Sequence, residues 1–205
     1  MPIRTFLFDM GNVLVHFSHE RMCEQIGALC NHDGPSVWKK LFGTGLQHDI
    51  ERGRISEVNM HQRMQDVFGH EMEFDALVRA SSDIFTLNEP IVPILDTLKS
   101  QGFRLVLLSN TSISHLNWVQ QQYDVLERFD HLVTSFEAGA IKPEAPIFEA
   151  ALAAAHCEPG ECFYTDDIAE YVNTARTYGI DAEVFTDTQA LIGQLRKRGI
   201  DVERA

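Results

Sequence analysis

The chain has 205 residues, 44% hydrophobic and 23% charged, proportions ordinary for a globular protein of one domain or one and a half. Asp and Glu number 30 against 17 Lys and Arg, and the formal charge of −13 argues against nucleic acid or an anionic membrane surface as partner. No apolar run approaches the roughly 20 residues of a membrane-spanning helix, the opening MPIRTFLFDM is too short for a signal h-region, and Cys23, Cys30, Cys157 and Cys162 form no C-x-x-C pair, so idle thiols in a reducing cytoplasm are expected.

The first predicted strand, RTFLFD at 4–9, ends on Asp9, and the chain breaks at Gly11. From 16 to 89 the apolar spacing is helical: Met22, Ile26 and Leu29, then Met60, Met64 and Val67, then Phe74, Leu77 and Val78. His19, Glu20 and Arg21 read as the exposed opening of the first of these helices. GTGLQHDIERGRIS, 43–56, reads as a loop, with Ser56 capping the helix that follows. Arg52 and Arg54 in ERGRIS either meet an anionic substrate or pair with Glu51 and Asp49. Next, IVPILDTLKSQG places Ile91, Ile94, Leu95 and Leu98 on one helix face and stops at Gly102. The strand RLVLLSN, 104–110, delivers Ser109 and Asn110, and a helical pattern, ISHLNWVQQQYDVLERF, follows it. After the strand HLVTS, 131–135, comes Lys142, with Pro143 suited to the start of a helix over PEAPIFEAALAAAH. The strand CFYTDD, 162–167, ends on Asp166 and Asp167; its helix stops at Gly179, and AEVF, 182–185, is the last strand.

Strands alternating with helices imply an α/β fold with a Rossmann-like, parallel, five-stranded sheet covered on both faces. The expected division is a core of residues 1–15 and 90–205 and an inserted helical cap of 16–89. Ligands of such sheets bind beyond the carboxyl ends of the strands. That is where Asp9, Ser109, Asn110, Asp166 and Asp167 stand, with Lys142 close to a helix start. Acids that repel one another make sense around a divalent cation, and Mg²⁺ prefers a few carboxylates with phosphate oxygens and water.

In this order FDMGNVL, LLSNTS, AGAIKPEAPIFEAAL and FYTDDIAEYVNTARTYGI resemble the four motifs of the haloacid dehalogenase (HAD) superfamily, and the resemblance covers the whole chain. FDMGNVLV together with ERGRIS is similar to a bacterial glucose-1-phosphate phosphatase subgroup. The resemblance implies a Mg²⁺-dependent phosphatase of a small phosphorylated metabolite such as a sugar phosphate, working through an aspartyl-phosphate on Asp9. It implies Mg²⁺ on Asp9, the Gly11 carbonyl and Asp167, with phosphate oxygens on Ser109 Oγ and the Asn110 N–H. Lys142 would add positive charge, and Asp166, behind it, would orient Lys142 or a metal-bound water.

Most phosphatases of that family carry a second aspartate, the acid and base, two residues after the nucleophile; here Gly11 stands there. There are three readings, of which the subgroup resemblance favours the first. The leaving group needs little help, as an anomeric hydroxyl or an acyl phosphate would; a substitute acts, His16 or a metal-bound water; or turnover is poor. His16 has a suitable unperturbed pKa but falls at the cap junction. Gly11 itself is expected to let the backbone turn sharply toward a metal. Two other functions stay in view. A metal-free 2-haloacid dehalogenase would use the same nucleophile, although the Asp166–Asp167 pair counts against it. A phosphometabolite-binding protein would keep the cradle and lose turnover. Residues 16–89 spell out no substrate, and nothing fixes the oligomeric state.

Overall fold

The computed structural model describes residues 2–203. Strand β1 (Thr5–Phe8) is buried along its whole length, because Phe6 and Phe8 point to one face of the sheet and Leu7 to the other. A short strand β2 (Val15–Phe17) follows, then helices α1 (His19–Cys30), α2 (Gly34–Phe42), α3 (Leu46–Glu51), α4 (Glu57–Phe68) and α5 (Phe74–Ser82). Strand β3 (Phe85–Leu87) returns to pair antiparallel with β2. The remainder runs α6 (Val92–Ser100), β4 (Arg104–Ser109), α7 (Ile113–Gln122), β5 (His131–Thr134), the single turn α8 (Ser135–Ala138) and α9 (Ala145–Ala155). It closes with β6 (Cys162–Asp166), α10 (Ala169–Thr177), β7 (Asp181–Val184) and α11 (Thr188–Arg196).

The main sheet has the order β5-β4-β1-β6-β7, with every pairing parallel. The chain leaves β1 for β4 and β5 on one side and comes back to β6 and β7 on the other. A crevice therefore opens at the carboxyl end of β1, between its neighbours β4 and β6. One face of the sheet packs Phe6, Phe8, Leu105 and Leu107 against Leu95 and Leu98 of α6, Val119 of α7 and Leu191 of α11. The other packs Leu7, Val106, Leu108 and Tyr164 against Phe148 of α9 and Val172 of α10. Each fully buried Leu or Phe contributes about 1.5–3 kcal/mol of transfer free energy. Both faces depend on it, so the strand register is strongly specified. Helices α1 to α5 close around a third core that includes Met22, Ile26, Leu41, Met64 and Leu77.

The five main strands fall within one residue of the bounds read from sequence, and Ser56 caps α4, accepting from the Asn59 N–H. Three expectations need correction. The segment 16–89 is not wholly helical, since β2 and β3 pair at its two ends. Strands of three residues are too short to show a period of their own. The stretch 43–56 is not all loop, because Leu46 and Gln47 are buried on α3. Pro143 does not start α9; Pro146 lies in its first turn, where a missing N–H costs nothing.

His115 of α7 ties α7 to α5. Its Nε2 donates to the Ser81 carbonyl at 3.0 Å, and its ring stands edge-on to Phe85 at 5.2 Å. Burial lowers its pKa to about 4 against the pull of the Ser81 hydrogen bond, with a smaller push from His19. The folded state therefore resists protonation that the unfolded chain accepts near 6.5. Stability is fully present above that value and is lost as pH falls toward 4, by about 3 kcal/mol in all. Urea unfolding at pH 7 and pH 5 should show a loss that His115→Gln reduces. Equal losses in the two proteins would contradict this assignment.

Candidate active site

Lys142 lies at the junction of the three central strands. Its Nζ donates to Asp9 Oδ1 at 2.7 Å, to Asp166 Oδ2 at 2.6 Å and to the Leu108 carbonyl at 2.9 Å. These bonds use all the protons of the ammonium, which is 1% exposed. Burial on its own would lower the lysine pKa, but the Asp9 and Asp166 carboxylates more than reverse that, so the group stays charged. Asn110 clasps the backbone of the same residue: its Oδ1 accepts from the Lys142 N–H at 2.7 Å and its Nδ2 donates to the Lys142 carbonyl at 3.1 Å.

The three acids differ in how far they are already engaged. Asp166 is 0% exposed. Its Oδ2 accepts from Lys142 and from the Tyr164 hydroxyl, and its Oδ1 accepts from the Ile168 N–H at 2.7 Å. Asp167 is half-buried and accepts from Asn12 Nδ2 at 2.9 Å. Burial raises its pKa, and Asn12 partly opposes the shift. Burial pushes the Asp9 carboxyl up to about 7; Lys142 pulls against it, while the nearby Asp166 charge adds to it.

Carboxylate oxygens of Asp9, Asp166 and Asp167 lie within 4.8 Å of one another. Among the described residues Lys142 is the one ammonium seen to interact with all three. An all-oxygen donor set with excess negative charge fits a hard divalent cation such as Mg²⁺. Asp9 and Asp167 are the better donors, because both oxygens of Asp166 already serve protein hydrogen bonds.

Asp9, Gly11, Asn110, Lys142 and Asp167 line one cavity of about 200 Å³; Ser109 and Asp166 are adjacent in sequence to lining residues but do not line it themselves. The Ser109 hydroxyl is buried with no hydrogen-bond partner among the described residues, as are the Ser82 and Thr165 hydroxyls. Gly11 lies inside a tight turn in which the Leu14 and Val15 N–H groups both donate to the Met10 carbonyl, at 2.9 and 3.0 Å. The left-handed residue is Asn12, at φ 54°. A Cβ on Gly11 would lie 2.8 Å from Phe17 Cε1, so the glycine makes room for that ring. Arg52 pairs with Glu144 at 2.5 Å and Arg54 with Asp49 at 3.3 Å, and neither lines the cavity. His16 is exposed on β2, outside the lining. Glu51 and His19 do line it. The sequence pattern puts His19 in solvent; instead its ring sits 4.8 Å from Phe17 and 4.9 Å from Phe42, and burial lowers its pKa. Both residues reach the cavity only because α1 and α3 fold over the strand ends, which no local pattern states; the ERGRIS resemblance is the one pointer to Glu51.

Residues 3–179 match the family model for haloacid dehalogenase-like hydrolases. A D-ribitol-5-phosphate phosphatase of Bacteroides thetaiotaomicron is 23% identical over 187 residues, spanning 87% of this chain and 90% of that protein. A phosphatase of Mycobacterium tuberculosis is 26% identical over 189 residues, spanning 89% of this chain and 87% of its own. Among solved structures, a HAD family enzyme of B. thetaiotaomicron in complex with magnesium and inorganic phosphate is similar at a TM-score of 0.83 and 24% identity. That match covers 92% of this chain and 98% of the other, and it shows a shared fold.

Replacing Lys142 strands two buried carboxylates. Lys142→Met should lose about 3–5 kcal/mol of stability in urea unfolding, and adding Asp166→Asn should restore part of it. A single variant as stable as the parent would rule out the buried cation as the element that holds these acids in place.

Proposed function

We propose that this chain, which belongs to the haloacid dehalogenase-like hydrolases, is a Mg²⁺-dependent phosphatase of a small phosphorylated metabolite. The observation that carries the reading is Asp9, a carboxylate at the end of the central strand that lines the cavity while Lys142 holds one of its oxygens. In the first step Asp9 attacks phosphorus and the ester oxygen leaves. In the second, water attacks the phosphorus of the aspartyl-phosphate and frees Asp9. Dividing one hard displacement into two easier ones is the gain of covalent catalysis.

Lys142 fixes the direction of attack and sets a positive charge beside the phosphoryl oxygens, where charge gathers in the transition state. The Ser109 hydroxyl and the Asn110 N–H supply further donors. Asp166 holds Lys142 in line and stays out of the reaction. Mg²⁺ would be held by Asp9, the Gly11 carbonyl and Asp167, and when bound it supplies Lewis-acid neutralisation of phosphoryl charge. Metal-free dehalogenation gives no use to an acid as available as Asp167, which disfavours that alternative.

Residues 16–89 act as a cap that covers the site and selects the substrate. Phe17, Ile84, Phe85 and Ile168 add apolar surface to the cavity beside its charged groups, and its volume of about 200 Å³ suits a small sugar or sugar-alcohol phosphate. The D-ribitol-5-phosphate phosphatase relative and the likeness to the glucose-1-phosphate phosphatase subgroup point to the same class. Among the described residues no helix is long and apolar enough to cross a membrane, and we place the reaction in the cytoplasm, where such phosphates occur.

Phosphate release from sugar, sugar-alcohol and acyl phosphates, measured with Mg²⁺ and with EDTA, tests the reading. Turnover should need Mg²⁺ and should fall to the detection limit in Asp9→Asn. Equal release by Asp9→Asn and the parent, or chloride release from a 2-haloacid in EDTA, would overturn it.

A further inference from the structure

Phosphoryl transfer from a sugar phosphate has a proton to place, and no residue assigned so far supplies it. An alkoxide is a far stronger base than a carboxylate, so a positioned donor helps it to leave. The position two residues beyond Asp9 is closed to a side chain by the Phe17 ring. His115 Nε2 is committed to the Ser81 carbonyl. His19 is packed between Phe17 and Phe42, and burial lowers its pKa, which disfavours the charged form. Burial raises the pKa of Tyr171 and makes it a weaker acid. Asp167 belongs to the metal set.

Glu51 remains. It is the last residue of α3 and lines the same cavity as Asp9 and Lys142. The chain behind it is pinned to the sheet half of the molecule at two points. Arg52 pairs with Glu144 at 2.5 Å. Gly53, at φ 65°, lies so near the Phe136 carbonyl oxygen that a Cβ would come within 2.4 Å of it. With Arg52 turned to Glu144, the hydrogen-bond partner of Glu51 is neutral: Gln47 Nε2 donates to Oε1 at 2.9 Å. That bond leaves Oε2 to carry a proton. Gln47 is itself 7% exposed, so the donor is held in place. Burial raises the Glu51 pKa against the pull of Gln47, His48, Arg52 and Lys142, and Tyr171 also faces the carboxyl.

We propose, resting on the phosphatase reading above, that Glu51 is the general acid and base of this site. Its carboxyl proton passes to the ester oxygen as that oxygen's bond to phosphorus breaks and the Asp9–phosphorus bond forms. Its carboxylate then takes a proton from the water that attacks phosphorus and releases Asp9, which restores the starting state. The substrate class widens accordingly. Glycine at position 11 no longer restricts the enzyme to anomeric or acyl phosphates, and ordinary alkyl phosphomonoesters come within reach.

The test uses phenyl phosphate and 4-nitrophenyl phosphate, which are alike in shape and differ in leaving-group basicity. kcat/KM reports the steps through phosphoryl transfer. Glu51→Gln should lower kcat/KM on phenyl phosphate by about 10²-fold or more, with the loss on 4-nitrophenyl phosphate about tenfold smaller. The slowed second step should appear as a burst of nitrophenolate. Equal losses on the two substrates, or no loss on either, would overturn the role of Glu51 and leave the phosphatase reading standing. A parent protein that hydrolyses neither ester with Mg²⁺ present, nor any phosphate in the wider panel, would sink both. If Glu51→Gln shows no cooperative thermal transition, the same ratio is read from Glu51→Asp.

Discussion

A lysine ammonium sealed beneath the strand ends, in contact with two carboxylates, sets the conditions for everything around it. Removing three ions from water costs several kcal/mol each unless every donor and acceptor is matched. Lys142 meets that condition only because three neighbouring strands each bring one partner: the Leu108 carbonyl from β4, Asp9 from the end of β1 and Asp166 from β6. The order β4-β1-β6 is therefore a chemical requirement as much as a folding one. Asn110 completes it by fixing the backbone from which Lys142 extends. The product of this arrangement is an aspartate held in one orientation and still open to a cavity.

The helical half meets the sheet half through apolar packing about Phe85 and through polar ties. Arg52 pairs with Glu144, His115 donates to Ser81, Ser114 bonds Glu57, and the Tyr123 hydroxyl donates to the Phe85 carbonyl at 3.0 Å. Ties of this kind are worth about 1 kcal/mol each. Of these, the Arg52–Glu144 pair stands directly beside α3, at the cavity edge where Glu51 lies. The proposed nucleophile and its charge partners thus stand on strand ends, and the proposed proton donor stands on α3 of the helical half.

Much of the sheet half was legible in sequence because its signals are local. Continuous apolar runs ending on polar residues mark strands buried on both faces, and Asp9, Ser109 and the Asp166–Asp167 pair fall at such ends. The helical half was less legible. β2 and β3 pair Val15 with Leu87 and Phe17 with Phe85, contacts that three-residue segments cannot announce. α3 lies among glycines and polar residues and carries few apolar positions. Gly11 has the look of a turn residue and lies in a turn, but the Phe17 ring six positions on, which also excludes a side chain there, is not announced locally. Arg52 stands out in sequence as a charge that could face substrate, and the neighbour it frees, Glu51, is the residue that reaches the cavity. In each case the missing information is which distant element comes to rest against the residue.

Whether phosphorus ever bonds to Asp9 is the most direct question to put to this protein. The enzyme would be mixed with Mg²⁺ and 4-nitrophenyl phosphate, quenched in acid within a turnover, digested at low pH and examined by mass spectrometry. A phosphoryl group on the peptide that contains Asp9, rising and falling with turnover, is the expected result. Steady turnover with the phosphoryl group on another residue, or on none at any quench time, would contradict both a nucleophilic Asp9 and a buried lysine that aims it.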